Sequence, residues 1–214
     1  MNSPKPEKLS PETKAFESSM SQVETARAIY IDFEGFVDRT PALIGVATEG
    51  DFVQTALDPG LELAAAAKGW SSQQGDNVIK DLLAKARGEK RRIVAYSQHE
   101  KRVCKKFYAI DLSPVYADAR LIAKKWRKKT HPGLKPGPKS LKEYLHLIGY
   151  ERGSYLGERR STRRIKAVRD MCAKRGSYDA LTATVKAKWT KSLQNNSIDV
   201  LGMRELCRRA VSGE

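Results

Sequence analysis

Two acids near the front of this sequence, Asp32 and Glu34, have the types and spacing to do chemistry. They close the apolar run Ala28-Ile29-Tyr30-Ile31. In an extended strand alternate side chains share a face, so Asp32 and Glu34 point one way and Phe33 the other. Two carboxylates on one face of a buried strand repel each other and lose hydration. A divalent cation removes both costs, and oxygen ligands of this kind suit Mg²⁺ or Mn²⁺. The spacing alone says little: Glu49-Gly50-Asp51 shares it, but flanks a glycine and reads as a hairpin turn. Further acids fall at special places: Glu100 after an expected fourth strand, Asp118 at the end of a fifth, and Asp199 between Ile198 and Val200 in the last helical segment. In open sheets, ligands gather beyond strand ends.

The charge balance suggests what such a site would act on. The 214 residues include 40 Lys plus Arg against 25 Asp plus Glu, a net charge of +15, with a pI near 9.8. That excess favours a polyanion, most simply nucleic acid. Ribosome-like structural binding and an acidic membrane surface are the competing partners. The cations concentrate in two zones, residues 124–142 and 159–175. Lys124, Lys125, Arg127, Lys128 and Lys129 lie in the first; Arg159, Arg160, Arg163 and Arg164 lie in the second. Trp126, Tyr144 and Tyr155 are interleaved with them, as in a track where cations hold phosphates and aromatics stack on the bases of a single strand of DNA or RNA. For carboxylates facing a polyphosphate chain, the natural chemistry is two-metal hydrolysis of phosphodiester bonds.

Other classes are disfavoured. No stretch approaches 18 apolar residues, so no membrane span is expected. Met1-Asn2-Ser3-Pro4-Lys5 lacks the apolar core of a signal peptide. Cys104, Cys172 and Cys207 are odd in number and far apart, which fits free thiols acting as small core hydrophobes in a reducing cytoplasm. His99, His131 and His146 make no zinc-ligand spacing with them.

The elements that must position the acids follow from periodicity. Residues 1–25 are polar and proline-containing and read as a mobile arm, with at most a helical turn after Pro11; residues 26–214 read as one domain. Strands are expected at 27–34, 41–48 and 52–57, forming an antiparallel meander turning at Gly50. Val78, Ile79, Leu82, Leu83 and Ala86 have helical spacing. A fourth strand at 92–96 leads through Ser97 to a helix carrying Val103, Cys104 and Phe107. A fifth, Val115-Tyr116-Ala117-Asp118, leads to a helix with Leu121, Ile122 and Trp126. Residues 127–139 form a basic loop, residues 140–149 a capped helix, and 178–191 and 193–211 two further helical segments. The order implies a mixed sheet with helices on its faces.

Taken together, Ile29-Tyr30-Ile31-Asp32-Phe33-Glu34-Gly35, Ala95-Tyr96-Ser97-Gln98-His99-Glu100-Lys101-Arg102-Val103 and Asn195-Asn196-Ser197-Ile198-Asp199-Val200 resemble, in order, the three motifs of DEDD 3′–5′ exonucleases of the ribonuclease H-like superfamily. The sequence is most similar to the nuclease domains associated with RecB-like proteins, where the second motif often carries Glu and the third reads Tyr-Asn-x-x-Asp-Val. Tyr116-Ala117-Asp118-Ala119-Arg120-Leu121, Ser140-Leu141-Lys142 and Gly149-Tyr150 also match that branch. The resemblance covers about residues 28–211. It implies an α/β fold with a ribonuclease H-like mixed five-stranded sheet flanked by helices. It also implies a metal-dependent hydrolase, a 3′–5′ exonuclease using two Mg²⁺ or Mn²⁺ ions. The ligands would come from Asp32, Glu34, Asp199 and either Glu100 or Asp118. Asn195 stands where the family places a Tyr or His that orients or deprotonates the attacking water. An amide can position water but cannot serve as a base near neutral pH. The alternative is therefore a nucleic-acid-binding module on the same scaffold with weak or lost catalysis.

Overall fold

The computed structural model describes residues 9–38, 40–151, 153 and 161–214. Strand β1 (Ile29–Gly35) is the spine of the sheet. It pairs antiparallel with β2 (Pro41–Thr48), which pairs antiparallel with β3 (Asp51–Ala56). This is the expected meander, turning at Gly50, whose positive φ of 77° suits a residue without Cβ. A two-residue strand, β4 (Ser71–Ser72), adds parallel to the edge of β3. On the other side of β1 lie β5 (Ile93–Ala95) and β6 (Tyr116–Asp118), both parallel to their neighbours. The order is β4-β3-β2-β1-β5-β6, six strands rather than the five expected. The extra strand is two serines, too short and too polar to show an alternation in sequence.

Helices α1 (Pro11–Glu17) and α2 (Gln22–Arg27) precede the sheet. The stretch read from sequence as an arm is thus, over residues 11–27, two short capped helices. Ser10 caps the first and Ser21 closes a capping box with Glu24 on the second. Glu17, Met20 and Thr25 are buried. The anchor is Arg92, whose guanidinium donates to the Phe16 and Tyr116 carbonyls and stacks on the Phe16 ring. A buried arginine far along the chain holds this segment, and composition does not register such a contact.

Helices α3 (Glu62–Ala66) and α4 (Gly75–Gly88) follow β3, and α5 (His99–Tyr108) follows β5. Then come α6 (Ala119–Thr130), α7 (Leu141–Leu147), α8 (Ser161–Arg175) and α9 (Ala183–Ser212). The alternation of β1 sorts the layers. Ile29, Ile31 and Phe33 pack with Val78 and Ile79 of α4 and Cys104 of α5. Tyr30 points the other way, against Val200, Met203 and Cys207 of α9. All three cysteines are buried free thiols, as small core hydrophobes should be.

Helix α9 corrects another expectation. Residues 178–191 and 193–211 read as two segments because Gln194-Asn195-Asn196-Ser197 includes weak helix formers. They lie instead inside one helix of 30 residues. The Asn195 and Asn196 amides are occupied by partners on β1, so they do not compete with the helix backbone.

Among the described residues, no helix is long and apolar enough to cross a membrane.

Candidate metal centre and basic cleft

Strand β1 runs apolar and buried through Ile31, and its exposure begins at Asp32. There α9 crosses the sheet and brings Asp199 to the same face. Asp32, Glu34 and Asp199 each offer a carboxylate oxygen, and these oxygens all lie within 4.8 Å of one another. The same-face expectation for Asp32 and Glu34 thus holds, and the third acid arrives from a residue 165 positions beyond Glu34.

Two consecutive asparagines of α9 fix this geometry. Asn195 Nδ2 donates to Glu34 Oε1 at 2.8 Å and to Asp199 Oδ2 at 3.1 Å. Asn196 Nδ2 donates to the Asp32 carbonyl at 3.0 Å and to Asp32 Oδ2 at 2.9 Å. Asn196 is held in turn through its Oδ1, which accepts from Gln54 Nε2 at 2.9 Å. Gln54 is itself buried and also donates to the Leu193 carbonyl. Gly45 makes room for all of this. It pairs with Asp32 across the β1–β2 ladder. A Cβ there would stand 2.9 Å from Asn196 Cγ, closer still to its Oδ1, and 3.1 Å from Val200 Cγ2.

The electrostatics agree with the geometry. Burial holds the Asp32 carboxyl well above the usual range, and Asp199, Glu34 and Glu100 push it further; the Asn196 hydrogen bond opposes them. Glu100 is 4% exposed. Burial raises it to about 8, with Asp118 adding to the rise. Its Oε2 is buried and has no hydrogen-bond partner among the described residues. Three clustered acids, with Glu100 acting on Asp32 from nearby and carrying an orphaned oxygen, could hold a hard cation.

Asp118 acts on Glu100 but lies outside the Asp32, Glu34 and Asp199 cluster. Its Oδ1 accepts from the Leu121 amide at 3.1 Å, capping α6, and its Oδ2 accepts from Gln98 Nε2 at 3.0 Å. Gln98 also donates to the buried Glu17 carboxylate at 2.5 Å, and Lys101 pairs with Glu17 at 2.6 Å.

The basic zones separate on folding. Lys124 and Arg127 line a cleft of about 740 Å³ beside α6, while Lys125, Lys128 and Lys129 are on or near the open surface of that helix. Arg163 is exposed on α8, but Arg164 is buried beside Ile165 and Val168, on the face that α8 turns inward. It therefore does not join an open track. Arg159, Arg160 and Tyr155 lie outside the described residues. Trp126 and Tyr144 are core residues, 6% and 2% exposed. The Trp126 indole donates to the Glu214 carbonyl. Their spacing among the lysines reflects helix faces, not stacking platforms.

Sequence reasoning missed Asn196, Gln54 and Gly45. The signals were slight: a glycine inside the apolar run of β2, and a glutamine at a β3 position that turns out buried. It also gave His99 no role beyond excluding zinc. His99 lines a second groove, of about 400 Å³, together with Phe33, Glu34, Val103 and Thr162. Comparison with family models, with curated proteins and with solved structures finds no match for this chain.

Proposed function

We propose that this protein is a metal-dependent nuclease with a ribonuclease H-like fold, acting on single-stranded DNA or RNA, and that it releases nucleotides from the 3′ end. The observation that carries the reading is the convergence of Asp32, Glu34 and Asp199 within 4.8 Å, from two elements distant in sequence. A meander whose first strand delivers its acids at the junction with two parallel strands supports the fold. The net charge of +15 supports the substrate.

The residues fit divalent cations. Asp32, Glu34 and Asp199 would hold them, with Glu100 Oε2 completing the donor set. Bound Mg²⁺ or Mn²⁺ would supply an activated water and stabilisation of the leaving oxygen. The protein's own contribution is to keep three mutually repelling acids in one place. Asn196 fixes Asp32, and Asn195 fixes Glu34 relative to Asp199. Each donor is itself anchored in a helix, so the carboxylates need not reorganise when charge develops nearby. The groove beside Glu34 leaves that acid accessible from the side lined by His99 and Thr162.

One observation favours a second reading, binding without efficient cleavage. The Asn195 amide is engaged with two carboxylates, and it replaces the Tyr or His expected from the resemblance.

A single experiment separates the two. End-labelled single strands are incubated with Mn²⁺ and purified protein, wild type or Asp32→Asn. Stepwise shortening by the wild type and none by Asp32→Asn is the expected result. Intact DNA and RNA with both Mg²⁺ and Mn²⁺, in a preparation that still binds them, would refute the nuclease reading.

A further inference from the structure

Helix α5 begins as a ridge between two hollows. Gln98, its N-cap, and Arg102 are four residues apart, and both line the 740 Å³ cleft. His99 and Val103, one position on, line the groove beside Glu34. Residues four apart share a helical face, and a step of one rotates by about 100°. The cleft and the acid site are thus two flanks of the same helical turn, with Glu100 buried between them.

The cleft is built from segments scattered through the sequence: α1, the turn before α5, α6, the loop at 137–139 and Tyr144 of α7. Six cations face it, namely Lys14, Arg102, Arg120, Lys124, Arg127 and Lys139. Arg120, Lys124 and Arg127 lie at i, i+4 and i+7 on α6, a single row about 10 Å long at 1.5 Å per residue. The opposite face of α6 carries Ile122, Ala123 and Trp126 into the core.

The convergence of six cations from separate segments is what marks the cleft out. Some cations elsewhere in the described protein do have acidic partners. Arg208 and Arg209 pair with Glu205, Arg91 with Glu89, Lys166 with Asp170 and Arg169 with Asp58. None of the six in the cleft forms an ion pair among the described residues. Asp118 lines the cleft too, one acid against six cations, with its oxygens accepting from Gln98 and the Leu121 amide. Arg127 donates to the Leu134 carbonyl at 3.1 Å, which holds its guanidinium in place, while its Nε is buried with no hydrogen-bond partner among the described residues. Converging like charges in a concavity are costly unless an anion answers them.

We propose that this cleft seats consecutive phosphates of the single strand whose scissile bond lies at the acid site. The strand crosses the α5 turn, its backbone against Arg120, Lys124 and Arg127. This rests on the nuclease reading for the path, and on the cleft alone for the ligand class. A single strand is the form that fits. A flexible single strand can bend across the one-turn ridge of α5 that separates the cleft from the acid site.

The test measures binding without cleavage, so its outcome is independent of catalysis. Fluorescence anisotropy of a labelled 12-nucleotide single strand is followed in EDTA from 50 to 400 mM salt. Each phosphate contact on a single strand contributes about 0.7 to the slope of log K against log salt. Arg120→Ala with Lys124→Ala should lower the slope by about 1.4. It should weaken binding roughly 25-fold at 0.1 M salt, if the electrostatic contribution vanishes near 1 M. The charge-retaining pair Arg120→Lys with Lys124→Arg should keep the wild-type slope. Lys85→Ala with Arg87→Ala, on the exposed side of α4, should change it little. An unchanged slope in the cleft pair, an equal loss in the α4 pair, or an equal loss in the charge-retaining pair would each overturn the proposal. Inorganic tripolyphosphate separates the sources of phosphate. If it competes as strongly as the oligonucleotide, the cleft serves free polyphosphate and the strand assignment is wrong.

Discussion

Gly45→Ala is the sharpest perturbation of the acid site that leaves every acid in place. The added methyl would stand 2.9 Å from Asn196 Cγ and 3.1 Å from Val200 Cγ2. Both belong to the buried face of α9, so neither can swing into solvent. Displacing Asn196 breaks its charge-assisted bond to Asp32 Oδ2 and its bond from Gln54. A hydrogen bond to a charged group contributes about 1.5–3 kcal/mol. Overpacking a filled core costs about 1–3 kcal/mol. Against these, Ala in a strand interior recovers roughly 0.5–1 kcal/mol relative to Gly. The net expectation is a loss of about 1.5–5.5 kcal/mol, read from urea unfolding monitored by Trp fluorescence. The mechanism is checked by a double-mutant cycle with Asn196→Ala. That change removes the Asn196 atoms the methyl would strike, leaving the looser Val200 contact, and by itself should cost about 2–3 kcal/mol. The double variant should then be little worse than Asn196→Ala alone, a coupling of about 2 kcal/mol. Additive losses, or a Gly45→Ala protein within about 0.5 kcal/mol of wild type, would refute the argument that Gly45 exists to admit Asn196.

Two further predictions concern charge. The Glu100 carboxyl, raised to about 8 in the fold, keeps its proton at pH values where the unfolded chain has lost it. The folded state then binds more protons, so stability should fall as pH rises from about 4.5 towards 8. Asp32 and Asp118 are shifted in the same direction and add to the slope. Glu100→Gln should flatten the dependence in thermal melts, and a wild-type curve that rises across this window would contradict the burial argument. Asp32→Asn should raise the melting temperature of the metal-free protein at pH 8, because it removes a carboxylate pressed by Asp199, Glu34 and Glu100. It should also abolish any rise in melting temperature caused by Mn²⁺ in the wild type; equal Mn²⁺ shifts in both proteins would place the ion elsewhere.

The sequence by itself determined the parts that depend on local period and composition. The alternation through Ile29, Tyr30, Ile31, Asp32, Phe33 and Glu34 specified a strand with both acids on one face, because side-chain direction in a strand has a period of two. The turn at Gly50 and the helical spacing of Val78, Ile79, Leu82 and Leu83 were legible for the same reason. Asp199 was legible as a candidate through its apolar flank, Ile198 and Val200, and its place in an ordered set of motifs. What only the tertiary structure decided is which distant groups meet. Asn196 reaches Asp32 across 164 residues because Gly45 opens the facing strand, and no local pattern encodes that close approach. Trp126 and Tyr144 lie among basic residues in sequence but turn into the core, since a helix sorts its residues by face rather than by neighbourhood. Lys14, Arg102 and Arg120 share one cleft although they come from three separate helices, α1, α5 and α6. Arg92 draws α1 onto the sheet by binding carbonyls that any residues could supply. Backbone carbonyls and side-chain amides carry no sequence period, so the contacts that tune the site emerge only when the chain has folded.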